Sequence, residues 1–217
     1  MNKLQSGLIF PFLRFFFKHL YSTLAWSYDL VANLSSMGQW WTWGRTVLPK
    51  LSSAPVLELG HGTGRLLQEA CRQGLQVFAI DASRQMSAMT ARRLEAQHFP
   101  LRIARARSQQ LPFPDRHFAT VYATFPSEYI FDPSTLLEAF RVLKPGGHLI
   151  VVGVAIIHGR SIADRLAGWL YAITGQSTEP GDQWREPLAA AGFTPRLERI
   201  WLPRAQVLHF VGVKQTA

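Results

Sequence analysis

The stretch "VLELGHGTG", residues 56–64, constrains the fold more than any other part of the chain. An apolar run carries Glu58 near its end, and glycine then stands at every second position, as Gly60, Gly62 and Gly64. Glycine inside a regular element costs stability, so this rhythm indicates a loop whose backbone bends sharply or lies against a ligand. We therefore expect a buried strand that ends in a glycine loop and continues into a helix.

From residue 55 onward, short apolar runs alternate with longer segments of helical periodicity. The runs predicted as strands are residues 55–59, 76–80, 101–106, 118–125 and 148–154. The segments predicted as helices are residues 63–74, 83–97 and 132–143. Ser83 and Asp132 are suitable N-caps, and "KPGG" after the third helix is predicted to be a turn. This alternation is typical of an α/β fold with a doubly wound, mostly parallel sheet.

The C-terminal part breaks the alternation. Residues 194–202 and 206–214 are two strand-like runs separated by three residues, a spacing that allows only an antiparallel hairpin at the sheet edge. The prediction is therefore a Rossmann-like sheet of seven strands. We divide the chain into an N-terminal, helical, aromatic-rich segment, residues 1–50, and one domain, residues 51–217.

Composition and charge restrict the classes of partner. The net charge of +9 favours anionic partners, which are nucleic acid, anionic lipid or an acidic substrate. Cys71 is the one cysteine, so no internal disulfide can form and nothing indicates an oxidising compartment. The seven histidines lack the spacing of metal ligands, which argues against a metal site. We expect a cytoplasmic protein, with a peripheral position on the membrane surface as an open alternative.

The first 26 residues are rich in Phe and Leu, but basic residues interrupt them, which argues against a transmembrane helix. As a helix over residues 12–26, they place Phe12, Phe16 and Leu20 on one face and Arg14 and Lys18 on another. Two interpretations stay open: a helix lying on an anionic membrane, or a helix packed on the domain. The tryptophans at positions 40, 41 and 43 fit either a membrane interface or a lid over a ligand pocket.

The glycine loop points to a nucleotide cofactor, and its spacing separates two classes. Dinucleotide-binding proteins use G-x-G-x-x-G, whereas this chain has G-x-G-x-G followed by Arg65. Asp81, at the end of the second strand, can accept hydrogen bonds from ribose hydroxyls in both classes. Glu58 and the G-x-G-x-G spacing distinguish the two classes. They make a dinucleotide the less well supported cofactor.

Four segments in this order resemble the class I S-adenosylmethionine-dependent methyltransferases, in particular the ubiquinone/menaquinone methyltransferase group. They are "VLELGHGTGRL", "VFAIDASRQM", "LPFPDRHFA" and "LLEAFRVLKPGGHLIVV", and the upstream "WSYDLVANLSSMGQWWTW" also resembles the entry segment of that group. The resemblance implies S-adenosyl-L-methionine as cofactor and in-line transfer of its methyl group.

The resemblance also implies a role for each matching position. The cofactor-binding residues that it implies are Tyr28, Glu58, Gly60, Gly62, Gly64, Asp81, Ala82, Met86, Ser108, Gln109 and Thr124. The glycines would admit the methionine and ribose parts, Glu58 would favour the amino group, and Asp81 would hold the ribose. Ala82, Met86 and the Ser108–Gln109 pair would surround the adenine, Thr124 and Phe125 would lie near the sulfonium, and Tyr28 would close the site. A core role for Met86 and a packing role for Tyr28 remain alternatives.

Three positions depart from the family pattern. Arg107 stands where an acidic residue often precedes the adenine-flanking pair, and a guanidinium cannot accept a hydrogen bond from the adenine amino group. Ala119 replaces a common aspartate. His61 replaces a small residue between the glycines, and we interpret it as a loop histidine exposed to water rather than as a catalytic group.

The acceptor is predicted to be small and lipophilic, because the N-terminal segment and the apolar helical face predicted for residues 160–174 are the regions that would bind it. A carbon or oxygen nucleophile would need a general base, for which Glu128, Tyr129 and His158 are candidates that no spacing distinguishes. Two other functions stay open. One is RNA methylation, suggested by the positive charge, and the other is a non-catalytic cofactor-binding or scaffold protein.

Overall fold

The computed structural model describes residues 38–52, 55–158 and 181–216. The predicted N-terminal helix, Tyr28 and the predicted helix at residues 160–174 lie outside the described residues. Their interpretations therefore stay predictions.

The described residues form one seven-stranded sheet in the order β3-β2-β1-β4-β5-β7-β6. The strands are β1 (Val56–Leu59), β2 (Val77–Asp81), β3 (Ile103–Arg105), β4 (Phe118–Thr124), β5 (Leu143–Ile157), β6 (Thr194–Trp201) and β7 (Ala205–Val213). The first five pair in parallel, whereas β7 is antiparallel to both β5 and β6. The predicted fold class and the C-terminal hairpin are confirmed.

Helices cover both faces of the sheet. The α-helices are α1 (Trp40–Gly44), α2 (Arg65–Arg72), α3 (Arg84–Glu95), α4 (Pro133–Val142) and α5 (Arg185–Ala190), and the 3₁₀ helices are η1 (Arg45–Lys50), η2 (Glu128–Phe131) and η3 (Asp182–Trp184). Residues of α1, η1, α2 and α3 share one apolar cluster with the sheet, and residues of α4 and α5 share the other. All four residues of β1 are buried, as expected for a parallel strand covered on both faces.

Both predicted N-caps are confirmed. Ser83 Oγ accepts a hydrogen bond from Met86 N at 3.3 Å, and Asp132 Oδ1 accepts one from Ser134 N at 2.8 Å. Each cap satisfies a backbone N–H that the first helical turn cannot pair internally. The caps fix the points at which α3 and α4 leave the sheet.

The turn predicted at "KPGG" lies within the bounds of β5, where it coincides with an interruption of the pairing with β4. The pairing register of β4 and β5 shifts there, between the partners of Phe118 and Thr120, and Gly146 adopts a φ of +75°. Lys214, just after β7, pairs with this stretch through its backbone. Its carbonyl accepts a hydrogen bond from Gly146 N, and its N–H donates one to Gly147 O. Residues 144–147 thus stand opposite the single residue Ala119, and Lys214 pairs with this irregular stretch through a long-range contact that the local sequence does not reveal.

Within the described ranges, no helix has both the length and the apolar character needed to cross a membrane.

Candidate active site

A cavity of about 630 Å³ lies at the carboxyl ends of the parallel strands. Its position next to β1 and β4 is the place where the strand order reverses, which is where open α/β sheets bind ligands. Ten residues implied by the resemblance line it together: Glu58, Gly60, Gly62, Asp81, Ala82, Met86, Ser108, Gln109, Thr124 and Phe125. The fold thus brings together residues that are up to 67 positions apart in the sequence.

The three glycines of the loop have different roles. All three have positive φ values, of +73° at Gly60, +54° at Gly62 and +74° at Gly64. A Cβ atom at Gly62 would meet no atom within 4 Å, whereas one at Gly64 would lie 2.5 Å from the side chain of Thr90. Gly64 is not among the residues that line the cavity. Packing of the loop against α3 therefore accounts for Gly64, and the predicted cofactor contact at this position has no support from the cavity.

Asp81 connects the glycine loop to the start of α3. Its Oδ2 accepts a hydrogen bond from Gly62 N at 2.9 Å, and its Oδ1 accepts one from Ser83 N at 2.8 Å. A carboxylate has about four lone-pair positions, so each oxygen keeps the capacity to accept another hydrogen bond. Asp81 thereby presents preorganised acceptors to the cavity.

Glu58 is a buried carboxyl group on the wall of the cavity. Its residue is 1% exposed, and Tyr122 Oη on β4 donates a hydrogen bond to its Oε2 at 3.2 Å. The pKa of Glu58 is raised to about 8, and burial is the largest cause. The hydrogen bond from Tyr122 acts in the opposite direction, and the negative charge of Asp81 adds to the rise. At neutral pH the protonated form of Glu58 therefore predominates.

The interpretation of His61 as a water-exposed residue is wrong. Its residue is 5% exposed, and its Nδ1 lies 3.0 Å from Gly62 O and 3.1 Å from Thr90 Oγ1. A carbonyl only accepts, so Nδ1 carries the proton, and burial lowers the pKa of the ring and keeps it neutral. Thr90 Oγ1 also donates to Gly62 O at 2.9 Å, so both side chains hold the same loop carbonyl.

The predicted adenine end of the cavity contains both expected and unexpected groups. Met86 is 2% exposed and also lines the cavity, so the core role and the lining role are compatible. Ser108 is buried at the same end, and Gln109 is partly buried. Arg107 is exposed at the cavity rim, a position from which a guanidinium can stack on a flat ring.

Aromatic side chains form the opposite wall. Trp40 and Trp41 line the cavity, whereas Trp43 is fully buried in the core. The rings of Trp40 and Phe125 lie 4.1 Å apart between centroids. Phe125 follows β4 with a φ of +46°, a strained conformation for a residue with a bulky side chain. In this conformation the Phe125 ring packs against Trp40 of α1, and this wall is the apolar part of the site.

Of the three predicted general bases, Tyr129 alone lines the cavity. Its hydroxyl donates to Leu59 O at 3.3 Å and would lie 2.6 Å from a Cβ placed on Gly60. Glu128 is exposed on η2, and His158 is exposed at the end of β5, where its ring stacks on Trp201 at 5.4 Å. Neither of these two side chains reaches the cavity.

Sequence reasoning missed Tyr122, the partner of Glu58. Tyr122 lies in an apolar strand, and tyrosine is common in strands, so its position gave no signal. The pairing register could have found it, because Glu58 and Tyr122 are direct neighbours on β1 and β4. Among the described residues, no three His, Cys, Asp or Glu side chains come together as ligands for a metal ion.

Comparisons with known proteins agree with this geometry. Residues 56–147 match the family model of a methyltransferase domain. The demethylmenaquinone methyltransferase of Thermus thermophilus is 34% identical over 139 residues, which cover 61% of this chain and 63% of that protein. The ubiquinone/menaquinone biosynthesis C-methyltransferase UbiE of Desulfotalea psychrophila is 32% identical over 137 residues, covering 60% and 55%. The chain thus matches between about half and two thirds of the length of these relatives.

Solved structures share the fold at low sequence identity. The YcgJ protein of Bacillus subtilis superimposes with a TM-score of 0.62 and 14% identity, covering 81% of this chain and 99% of that one. The geranyl diphosphate C-methyltransferase of Streptomyces coelicolor gives 0.60 and 12%, covering 80% and 78%. The [4+2]-cyclase SpnF gives 0.60 and 18%, covering 79% and 80%, so one fold carries different reactions.

The family match and the sequence relatives confirm the resemblance to the class I methyltransferases of the ubiquinone/menaquinone group.

Proposed function

We propose that this chain binds S-adenosyl-L-methionine in the cavity and transfers its methyl group to a small, lipophilic acceptor. The observation that carries the proposal is the convergence of Glu58, the glycine loop and Asp81 on one cavity at the carboxyl edge of the sheet. The similarity to methyltransferases at 32–34% identity supports it.

The residues present fit this cofactor. The loop leaves open space where a Cβ on Gly62 would stand, so a ligand can approach the backbone. Asp81 offers acceptors for hydroxyl groups, and Glu58 offers a carboxyl group for an ammonium. One end of the cavity is polar and the other is aromatic, which suits a polar nucleoside beside an apolar acceptor.

S-adenosylmethionine, when bound, supplies an electrophilic methyl group. The chain contributes position: Asp81 and Glu58 hold the polar parts, and Trp40 and Phe125 exclude water from the end where the acceptor would enter. Transfer would replace the carbon–sulfur bond of the cofactor by a bond from the methyl carbon to the nucleophile of the acceptor, and the acceptor would release a proton to solvent. Tyr129, which lines the cavity and whose hydroxyl donates to Leu59 O, would accept a hydrogen bond from the nucleophile.

We further propose that the acceptor is quinone-like, since the relatives are named for demethylmenaquinone and ubiquinone/menaquinone biosynthesis. The aromatic wall formed by Trp40, Trp41 and Phe125 favours a flat or apolar acceptor. The protein would then work in the cytoplasm, with its N-terminal segment at the surface of an anionic membrane.

Titration calorimetry tests the cofactor. S-adenosylmethionine and its demethylated product should bind, and NAD should not. Asp81→Ala should weaken binding by at least about 1–3 kcal/mol, because ribose hydroxyls lose their acceptors. Asp115→Ala, which removes an exposed carboxylate far from the cavity, should leave the affinity unchanged. Equal binding of NAD, or an indifferent Asp81→Ala, would show that the cofactor assignment is wrong.

Transfer of label from S-adenosylmethionine to separate lipid, small-molecule and RNA extracts tests the acceptor, with a demethylmenaquinone as defined probe. We expect label in the lipid extract and in the probe. Label in RNA alone would favour RNA methylation, and no label in any pool, despite cofactor binding, would favour a non-catalytic protein.

Vesicle flotation tests the membrane proposal. Burial of large apolar side chains contributes roughly 1.5–3 kcal/mol each, and each basic residue near anionic lipid adds about 1 kcal/mol. The full chain should float with anionic vesicles at low salt. Replacing Arg14 and Lys18 together by Gln should reduce flotation on anionic vesicles but hardly change it on neutral ones. If the full chain floats with no vesicle composition, a water-soluble acceptor becomes the better candidate.

A further inference from the structure

The pair formed by Glu58 and Tyr122 lies at the boundary between the core and the cavity. Glu58 lines the cavity, whereas Tyr122 is fully buried behind it and does not. The two residues are neighbours on adjacent parallel strands, β1 and β4, so the sheet itself fixes their separation. Tyr122 Oη donates to Oε2 of Glu58, and Oε1 accepts no hydrogen bond from the described residues. The hydroxyl thereby fixes one oxygen of a carboxyl group whose residue forms part of the cavity wall.

The surroundings of this carboxyl group favour its neutral form. Burial is the largest cause that raises its pKa, and the charge of Asp81 acts in the same direction. The other titratable groups that interact with it are Tyr122 from β4 and Cys71 from α2, and the neutral His61 of the glycine loop lines the same cavity. Burial raises the pKa of Tyr122 well above its ordinary value and also raises that of Cys71, so neither residue provides a compensating charge at neutral pH. Arg65 lines the same cavity and is exposed at its rim.

An ammonium group that enters the cavity would reverse this balance. A positive charge close to a carboxyl group favours its ionised form, and the effect is strong where water is excluded. If Glu58 is protonated in the absence of ligand and ionised when it faces an ammonium, one proton must leave. Tyr122 Oη remains a donor to the carboxylate in both forms, which lowers the cost of ionisation.

We propose that Glu58 and Tyr122 form a proton-releasing site for the α-ammonium of the cofactor, in which Glu58 binds the ammonium as a carboxylate and Tyr122 is a positioning residue that stabilises this ionised form. The proton leaves the Glu58 carboxyl group for solvent, and no covalent bond to carbon changes. This inference rests on the proposed function, since it concerns the same cofactor.

Binding as a function of pH tests the inference. Affinity for S-adenosylhomocysteine, measured with the full chain, should rise about tenfold per pH unit between about pH 6 and pH 7. It should level off above about pH 8, where Glu58 is already ionised in the absence of ligand. 5′-Methylthioadenosine, which lacks the amino acid part, should bind with no such slope. Calorimetry at pH 7 in buffers of different ionisation enthalpy should report release of close to one proton for the first ligand and none for the second.

Two tyrosine variants separate positioning from general damage. In Tyr122→Phe the pKa of Glu58 should rise, so the loss of affinity relative to the wild type should be largest below pH 7 and shrink as the pH increases. Tyr129→Phe removes a hydroxyl from the same cavity, where its partner is Leu59 O instead of Glu58. The ratio of the affinity of Tyr129→Phe to that of the wild type should not change with pH. Glu58→Gln should abolish the slope and the proton release.

The outcomes are distinguishable from failure of the proposed function. If neither S-adenosylmethionine nor its demethylated product binds at any pH, the proposed function is wrong. If they bind with no proton release, or if 5′-methylthioadenosine shows the same slope, the cofactor assignment stands and the proton-linked role of Glu58 and Tyr122 is overturned. The wild-type measurement decides this even if Tyr122→Phe does not fold.

Discussion

The two edges of the parallel sheet differ in how their polar and charged side chains are hydrogen-bonded. At the amino edge, below β4 and β5, the Arg141 guanidinium makes five hydrogen bonds, to Glu138, Asp115 and the carbonyls of Leu111 and Phe113. At the carboxyl edge, the described residues give the buried carboxyl group of Glu58 one donor and give the buried Nε2 atom of His61 no hydrogen-bond partner. Among the described residues, the Arg141 group at the amino edge is therefore more fully hydrogen-bonded than the polar groups of the cavity.

Backbone strain, by contrast, occurs at both edges. The three glycines of the loop and Phe125, at a φ of +46°, have positive φ at the carboxyl edge, whereas His98 and Arg116 have φ values of +56° and +51° at the amino edge. Such conformations cost about 1–3 kcal/mol each for residues with a side chain and persist only where the surrounding structure holds them. The difference in hydrogen bonding teaches that this fold stabilises one edge by hydrogen bonds and keeps polar groups available at the other. A ligand site requires such available groups.

The largest expected effect concerns the pH dependence of stability at the carboxyl edge. The pKa of Glu58 is about 8 in the folded chain, above its ordinary value of 4.5, so its contribution to stability is present below about pH 4.5 and is lost as the pH rises toward 8. In Glu58→Gln this loss of stability, on the order of 5 kcal/mol, should disappear. Urea unfolding at several pH values without cofactor measures it, and equal slopes in both proteins would contradict the contrast between the edges.

The second effect separates packing from ligand access within the glycine loop. Gly64→Ala should destabilise the chain by about 3 kcal/mol, because the new Cβ lies 2.5 Å from Thr90 at a positive φ. Gly62→Ala should cost only about 1 kcal/mol of stability, since its Cβ meets no atom within 4 Å. It should nevertheless weaken S-adenosylmethionine binding more strongly than Gly64→Ala does, when the affinities of the folded proteins are compared. Thermal unfolding and calorimetry on both variants check the pair. Similar stability losses at the two positions would be inconsistent with it.

The third effect tests the amino edge. Arg141→Met should lower the free energy of unfolding by about 2 kcal/mol, because Glu138 and the two backbone carbonyls lose a charged donor at a partly exposed position. Its affinity for S-adenosylmethionine should be unchanged. Arg185→Met, which removes an exposed pair with Asp182 one helical turn away, is the control and should cost less than about 0.5 kcal/mol. A changed affinity in Arg141→Met would mean that the two edges are coupled.

The smallest effect concerns Lys214, also at the amino edge. Its Nζ donates to the carbonyls of Phe140 and Leu143 at the end of α4, at 2.6 and 2.8 Å. Lys214→Met should cost about 1 kcal/mol through these lost helix-capping bonds. Lys144→Met, at an exposed position, should cost nothing measurable in the same unfolding experiment. If the two variants are equally stable, the hydrogen bonds of Lys214 do not stabilise this edge.

Local patterns determined a large part of this protein. The apolar runs, the caps at Ser83 and Asp132, and the three-residue turn of the last hairpin are properties of short segments, and each predicted its element. The glycine loop and Asp81 could be placed at one edge because parallel strands end together there. These inferences need only periodicity and turn chemistry, which act between residues close in sequence.

Only the tertiary structure decided which side chains meet. It placed Tyr122 beside Glu58 across 64 positions, buried His61 against Thr90, and brought Tyr129 to the cavity while leaving Glu128 and His158 outside it. Burial and pairing register set the pKa of Glu58, and neither can be read from the residues around it in the chain. The sequence therefore determined the frame and the class of ligand, whereas long-range packing determined the protonation states and the donors within the site, because these depend on solvent exclusion by residues distant in sequence.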